Sequence, residues 1–145
     1  MNIRKAEEKD VPEIMELLKQ VLELHAKIRP DIFISGRTKY TREELLKILN
    51  NPQTPVFVAE EGGKVAGYAF CIEKRQPFST NMRDFKTLFI DDLCVDETIR
   101  GKHVGQSLYE YVLDYAKKLG CYDVTLNVWE GNDGARKFYE KMGMK

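Results

Sequence analysis

A single mixed α/β domain built on one central sheet is the fold class this sequence predicts. Three observations predict it. Helix-period and strand-period segments alternate along the 145 residues in the order β-α-α-β-β-β-α-β-α. Two β-rich runs are joined at Gly62-Gly63, the turn signal of an antiparallel hairpin. A long amphipathic segment separates the fourth β-rich run from the fifth, as a crossover between strands requires. No repeat or low-complexity linker divides the chain, so residues 1–145 are expected to share one core.

Each element has its own local reason. "NIRKAE" alternates and reads as a first strand. Val11, Ile14, Leu17, Leu18, Val21, Leu22 and Leu24 then recur at helical spacing, with Asp10 as the expected cap, Pro12 in the first turn and Pro30 as the stop. "RPDIFISGRTKY" is an irregular connection. Thr41 with Glu44 three residues on forms a capping box for the short helix "TREELLKILN". "PVFVAEEGGKVAGYAFCIEKR" is the hairpin, and "FKTLFIDDLCVD" a long strand with two acids in its middle. The next helix runs from about Val104 to Leu119, with Val104, Leu108, Tyr111, Val112, Tyr115, Ala116 and Leu119 on one face and Gly120 as its C′ residue. "DVTLNVWE" is a fifth strand. "NDGARKFYEKMG" is a last helix, capped by Asn132 or Asp133 and stopped by Gly143.

Composition narrows the function. Apolar residues make up 43% and charged residues 32%, with 23 basic against 23 acidic side chains. A balanced charge argues against a nucleic-acid binder that works through its bulk field. The charged start "MNIRKAEEKDV" resembles neither a signal peptide nor a membrane span, so no membrane partner is expected. Cys71, Cys94 and Cys121 are three widely spaced thiols without metal-ligand spacing. They predict a cytoplasmic, reduced protein without metal, in which Cys94 is a packed thiol rather than a nucleophile.

The start of the helix at Val104 poses a question. No Ser, Thr, Asp or Asn stands there to satisfy its free backbone N–H groups. Arg100, Gly101, Lys102, His103 and Gly105 precede or open it instead. A helix N-terminus with glycines and cations beside it is a natural anion site, and a bound pyrophosphate would serve as the cap. Neither a P-loop G-x-x-x-x-G-K-[ST] nor a G-x-G-x-x-G pattern is present.

The run Arg100, Gly101, Lys102, His103, Val104, Gly105 resembles the R/Q-x-x-G-x-G/A signature of the GNAT N-acetyltransferase superfamily, and the flanking "LCV" and "GQSL" resemble it too. A second segment, "NDGARKFYEKMG", is similar to the family's N-x-x-A-x-x-F-Y-x-x-x-G pattern at Asn132, Ala135, Phe138, Tyr139 and Gly143. One position departs: His103 stands where the family most often has glycine, and its imidazole is expected to point outward. The resemblance implies a mostly antiparallel sheet splayed between strands four and five and flanked by about four helices. The family's sixth and often seventh strands do not follow within this sequence: the expectation is a truncated chain, a terminal strand supplied by a partner subunit, or an exposed edge after strand five, and such an edge would favour a strand-sharing homodimer.

The implied activity is transfer of an acetyl group from acetyl-CoA to a primary amine of a small molecule or peptide; the alternative is a non-catalytic acyl-CoA-binding or sensor domain. The resemblance assigns the pyrophosphate to Arg100, Gly101, Lys102, His103, Val104, Gly105 and Gln106. It assigns the pantetheine arm to backbone groups of Leu93, Cys94 and Val95 and to Asn132. Tyr139 matches the tyrosine that protonates the departing thiolate. Asp91 and Asp92 resemble the acidic residues of the spermidine/spermine acetyltransferase branch, which lie beside the acceptor amine. Alternation along a strand would send the two to opposite faces, with Asp91 as base and Asp92 as an amine-binding charge, unless a bulge changes their faces. His25, Arg29, Asp31, Phe33 and Tyr40 are the acceptor-side candidates, because the connection between the first two helices commonly lines the cleft in this family.

Overall fold

The protein is represented by a computed structural model that describes residues 2–32, 40–76, 85–96, 103–121 and 123–126. Among the described residues five strands form one sheet in sequence order: β1 (Asn2–Lys5), β2 (Val56–Glu61), β3 (Lys64–Gln76), β4 (Phe85–Val95) and β5 (Asp123–Leu126). The first three pairings are antiparallel and β4–β5 is parallel, which matches the mixed, mostly antiparallel sheet read from the sequence. The described β4–β5 ladder runs from Thr87 opposite Asp123 to Ile90 opposite Leu126. The expected splay of these strands lies beyond it, outside the described residues.

Among the described residues three α-helices flank the sheet: α1 (Val11–Ile28), α2 (Arg42–Leu49) and α3 (Val104–Leu119). The fourth, expected over 132–143, lies outside the described residues. α1 and α2 cover one face, where Ile14, Leu17, Leu18 and Leu45 pack on Val56, Val58, Tyr68 and Phe70. α3 covers the other, where Leu108, Val112 and Ala116 pack on Phe57, Ala69, Leu88 and Ile90. Among the described residues no helix is long and apolar enough to cross a membrane.

Within the described residues the local signals are realised with one exception. Thr41 Oγ1 accepts from Glu44 N–H at 3.1 Å, and Thr41 N–H donates back to Glu44 Oε1 at 2.9 Å. Gly62 and Gly63, at φ 60° and 81°, make the two positive-φ positions that a tight hairpin turn demands. Asp10 is the exception. Its carboxylate does not cap α1 but turns back across the short 3₁₀ turn Glu8–Asp10 to accept from Glu7 N–H at 2.7 Å. It also accepts two bonds from the Arg4 guanidinium, at 2.8 and 2.9 Å, and Arg4 reaches Glu60 at 2.7 Å. Burial alone would push the Asp10 carboxyl up, but Arg4 and the Glu7 amide outweigh it and hold it below its ordinary range.

Two bulges decide what faces where. Between β2 and β3 the register passes from Ala59–Gly67 to Glu60–Val65, which leaves Ala66 as an extra residue. Between β3 and β4 it passes from Phe70–Asp92 to Cys71–Ile90, which leaves Asp91 as the extra residue. Ile90 therefore packs on the α3 side, whereas Cys94, two pleats further on, packs on the α1–α2 side.

Candidate functional site

β4 leads into α3, and the candidate site residues lie along this path. At the bulge, Asp91 and Asp92 do not point to opposite faces as simple alternation predicts. Both reach tyrosines packed on the α1–α2 side: Tyr40 OH donates to Asp91 Oδ2 at 3.1 Å and Tyr68 OH to Asp92 Oδ2 at 2.7 Å. The extra residue breaks the two-residue period, so consecutive side chains fall on one side. Phe70 joins the two tyrosines, stacked on Tyr40 at 5.6 Å and edge-on to Tyr68 at 4.9 Å. The result is a pair of half-buried carboxylates on an aromatic floor.

The thiols nearby are packing groups. Cys94 is buried, with its sulfur 3.9 Å from the Leu17 carbonyl of α1. Burial, and then the charge of Asp91, push the Cys71 thiol up to about 12, far from thiolate chemistry at neutral pH.

Beyond the bulge, Leu93, Cys94 and Val95 pair with Ala69, Tyr68 and Gly67 of β3. Gly67 is what lets α3 sit down there. A Cβ at Gly67 would stand 2.7 Å from the Cys94 carbonyl oxygen, 3.0 Å from Leu108 and 3.3 Å from Val104. The missing methyl thus admits both the end of β4 and the first turn of α3.

α3 starts as its sequence implies, without a side-chain cap. His103, exposed and just ahead of Val104, adopts the left-handed conformation at φ 59°, ψ 27°. This supplies a physical reason for glycine at such a position, since a Cβ is disfavoured in that region and histidine is among the residues that tolerate it. The first turn of α3 holds no acidic residue, and Lys117 and Lys118 lie in its last turn. Val104 is buried, Gly105 is half-buried, and the Gln106 amide donates to Glu110 Oε1 at 3.1 Å along the helix. An anion suits the uncapped N–H groups of this turn in charge. Replacing His103 by Gly is expected to raise stability by about 0.5–1 kcal/mol in thermal or urea unfolding, because relief of the left-handed strain exceeds the added chain entropy. A loss of stability would show that the imidazole makes contacts worth more than the strain.

On the acceptor side, Tyr40 meets Asp91, whereas Arg29 and Asp31 form a two-pronged pair with each other at 3.1 and 2.9 Å. That guanidinium holds the Asp31 carboxyl below its usual range. His25 lies in α1, and its side chain is outside the described atoms. Phe33, Arg100, Gly101, Lys102, Asn132 and Tyr139 lie outside the described residues. Among the described residues no cluster of three or more His, Cys, Asp or Glu side chains is arranged to hold a metal ion. Tyr68, Phe70 and Gly67 were not legible as site residues. The only hints were a tyrosine in an otherwise apolar run and a lone glycine inside a strand.

Comparison with known proteins supports the fold and gives the family. The family model described as the acetyltransferase (GNAT) family matches residues 18–144. The chain is 38% identical to glucosamine 6-phosphate N-acetyltransferase of Arabidopsis thaliana over 90 residues, 61% of this chain and 56% of that protein. It therefore spans little more than half the length of that relative. Thialysine N-epsilon-acetyltransferase of Bos taurus is 25% identical across 97% of this chain and 82% of its own length. Among solved structures, a tetramutant of the BH1408 protein from Bacillus halodurans superposes with a TM-score of 0.93 at 33% identity, covering 100% of this chain and 94% of that one. With the family model spanning most of the chain, residues 18–144, this chain belongs to the GNAT acetyltransferase family.

Proposed function

We propose that the protein transfers the acetyl group of acetyl-CoA to a primary amine of a small molecule or peptide, by direct attack with both substrates bound. The observation that carries this reading is the uncapped start of α3, at the end of the strand that bears the paired carboxylates. When bound, acetyl-CoA supplies the thioester carbonyl that an amine can attack. Arg100, Gly101, Lys102, His103, Val104, Gly105 and Gln106 hold its pyrophosphate, with the free N–H groups of the first helical turn as donors. Main-chain groups of Leu93, Cys94 and Val95, with Asn132, hold the pantetheine arm.

An amine is mostly an ammonium at neutral pH and must lose a proton before it can attack. Asp91 takes that proton, directly or through one water, while Asp92 supplies the charge that holds the amine. Tyr139 delivers a proton to the departing thiolate sulfur. The relatives named for glucosamine 6-phosphate and thialysine both act on amines, which supports the reaction class. They differ in what surrounds the amine, so lysine-like amines and amino sugars are both candidate acceptors.

Calorimetric titration with acetyl-CoA tests the cradle. Micromolar binding is expected, weakened at least roughly tenfold in Arg100→Ala through loss of a charge-assisted phosphate contact. Absence of binding at millimolar acetyl-CoA would overturn the reading. Where binding is found, thiol release with a panel of amines identifies the acceptor class.

A further inference from the structure

Tyr68 is wholly buried, and its ring packs edge-on to Phe70 at 4.9 Å with an interplanar angle of 63°. A phenylalanine would fill this space equally well. Only the hydroxyl sets tyrosine apart, and a buried hydroxyl is costly unless it is bonded. It donates to Asp92 Oδ2 at 2.7 Å, and the Cys94 thiol lies against the Tyr68 hydroxyl. Burial, and then the charge of Asp92, push the phenol well above its ordinary range, so it stays a donor throughout the neutral range.

The register explains how the pair meets. Tyr68 stands opposite Cys94 and Phe70 opposite Asp92, so Tyr68 and Asp92 are diagonal neighbours across β3 and β4. With simple alternation from Ile90, Asp92 would lie on the α3 side, away from Tyr68. The bulge at Asp91 brings it over. Asp91, by contrast, is bonded from outside the sheet by the half-buried Tyr40, at the longer distance of 3.1 Å.

We propose that Tyr68 is a positioning residue for acetyl transfer, whose buried hydroxyl commits one oxygen of Asp92 and so fixes the plane of that carboxylate beside Asp91. This rests on the acetyl-transfer reading above and divides the labour within the acidic pair. Asp92, pinned from within the core, is the fixed charge that orients the amine. Asp91, which Tyr40 reaches from outside the sheet, is the group that takes the proton in that reading.

Tyr68→Phe tests this without disturbing the packing. The KM for the acceptor amine, read by thiol release with glucosamine, lysine and 1,4-diaminobutane, is expected to rise roughly tenfold, the effect of losing one hydrogen bond to a charged group. Affinity for acetyl-CoA and the unfolding temperature should change little. In an Asp92→Asn background, Tyr68→Phe should add nothing to KM, whereas a purely structural tyrosine would cost the same in both backgrounds. A second readout needs no turnover: in aspartate-labelled protein, the Asp92 carboxyl ¹³C resonance, assigned by its loss in Asp92→Asn, should move in Tyr68→Phe. An unmoved resonance, or equal KM effects in the two backgrounds, would overturn the proposal. Absence of thiol release by the wild type with every amine would overturn the acetyl-transfer reading alone, because the resonance decides the Tyr68 contact independently.

Discussion

Asp91→Asn is expected to lower kcat for amine acetylation by roughly 10²–10⁴-fold, the usual contribution of a positioned general base, with little change in acetyl-CoA affinity. Asparagine keeps the size of the side chain and a carbonyl oxygen to accept from Tyr40, so the bulge and its aromatic floor remain in place. The negative charge and the capacity to receive a proton are lost. Asp92→Asn is the companion measurement, and its effect should fall mainly on the KM of the amine. If kcat in Asp91→Asn were unchanged and the rate rose with pH in step with the free amine, deprotonation would precede binding, and Asp91 would have no role as base.

The largest effect on stability is expected at the other end of the sheet. Asp10 is 4% exposed and receives both arms of the Arg4 guanidinium together with the Glu7 amide. Asp10→Ala leaves a half-buried guanidinium with Glu60 as its remaining carboxylate partner, and is expected to cost about 2–3 kcal/mol in urea unfolding. Asn in place of Asp keeps an acceptor for Glu7 N–H and should cost less. The pH dependence carries a definite sign. The Asp10 carboxyl is held below its ordinary value, so its contribution is fully present above the unfolded value of about 3.9 and is lost as pH falls through the lower, folded value. The stability difference between wild type and Asp10→Ala should therefore narrow below about pH 4. A constant difference down to pH 2 would mean that packing, and not the ion pair, accounts for the loss.

What the sequence disclosed and what it hid divide along one physical line. The bounds of α3, its glycine stop, the Thr41–Glu44 box and the Gly62-Gly63 turn are all set by neighbours a few residues away, and each was legible. The missing cap of α3 was legible for the same reason. The faces of Asp91 and Asp92 were not, because they depend on a register shift against Phe70 and Cys71, about twenty residues earlier in the chain. Asp10 misled for a related reason: it has the composition of a helix cap, but its carboxylate is taken by the Arg4 guanidinium of β1, which Glu60 of β2 also binds. Tyr68 looked like one more apolar strand residue, since the oxygen that distinguishes it finds its partner on the next strand. The family signatures marked Arg100 and Tyr139 through resemblance, not through any contact that local chemistry could foretell.

The close approach at Gly67 gives β4 a role as a ruler. One end of the ruler is the bulge with its acidic pair; the other is the stretch against Gly67 where the first turn of α3 is seated. At a rise of about 3.3 Å per residue, the three steps from Asp92 to Val95 span roughly 10 Å. That spacing is metered by the count of main-chain units and does not vary with the length of any side chain. Residues around Tyr40 can therefore diverge to suit a different acceptor while the interval between the acids and the helix start stays calibrated. One inserted residue among 93–95 would lengthen the interval by about 3.3 Å and reverse the face of everything on one side of it.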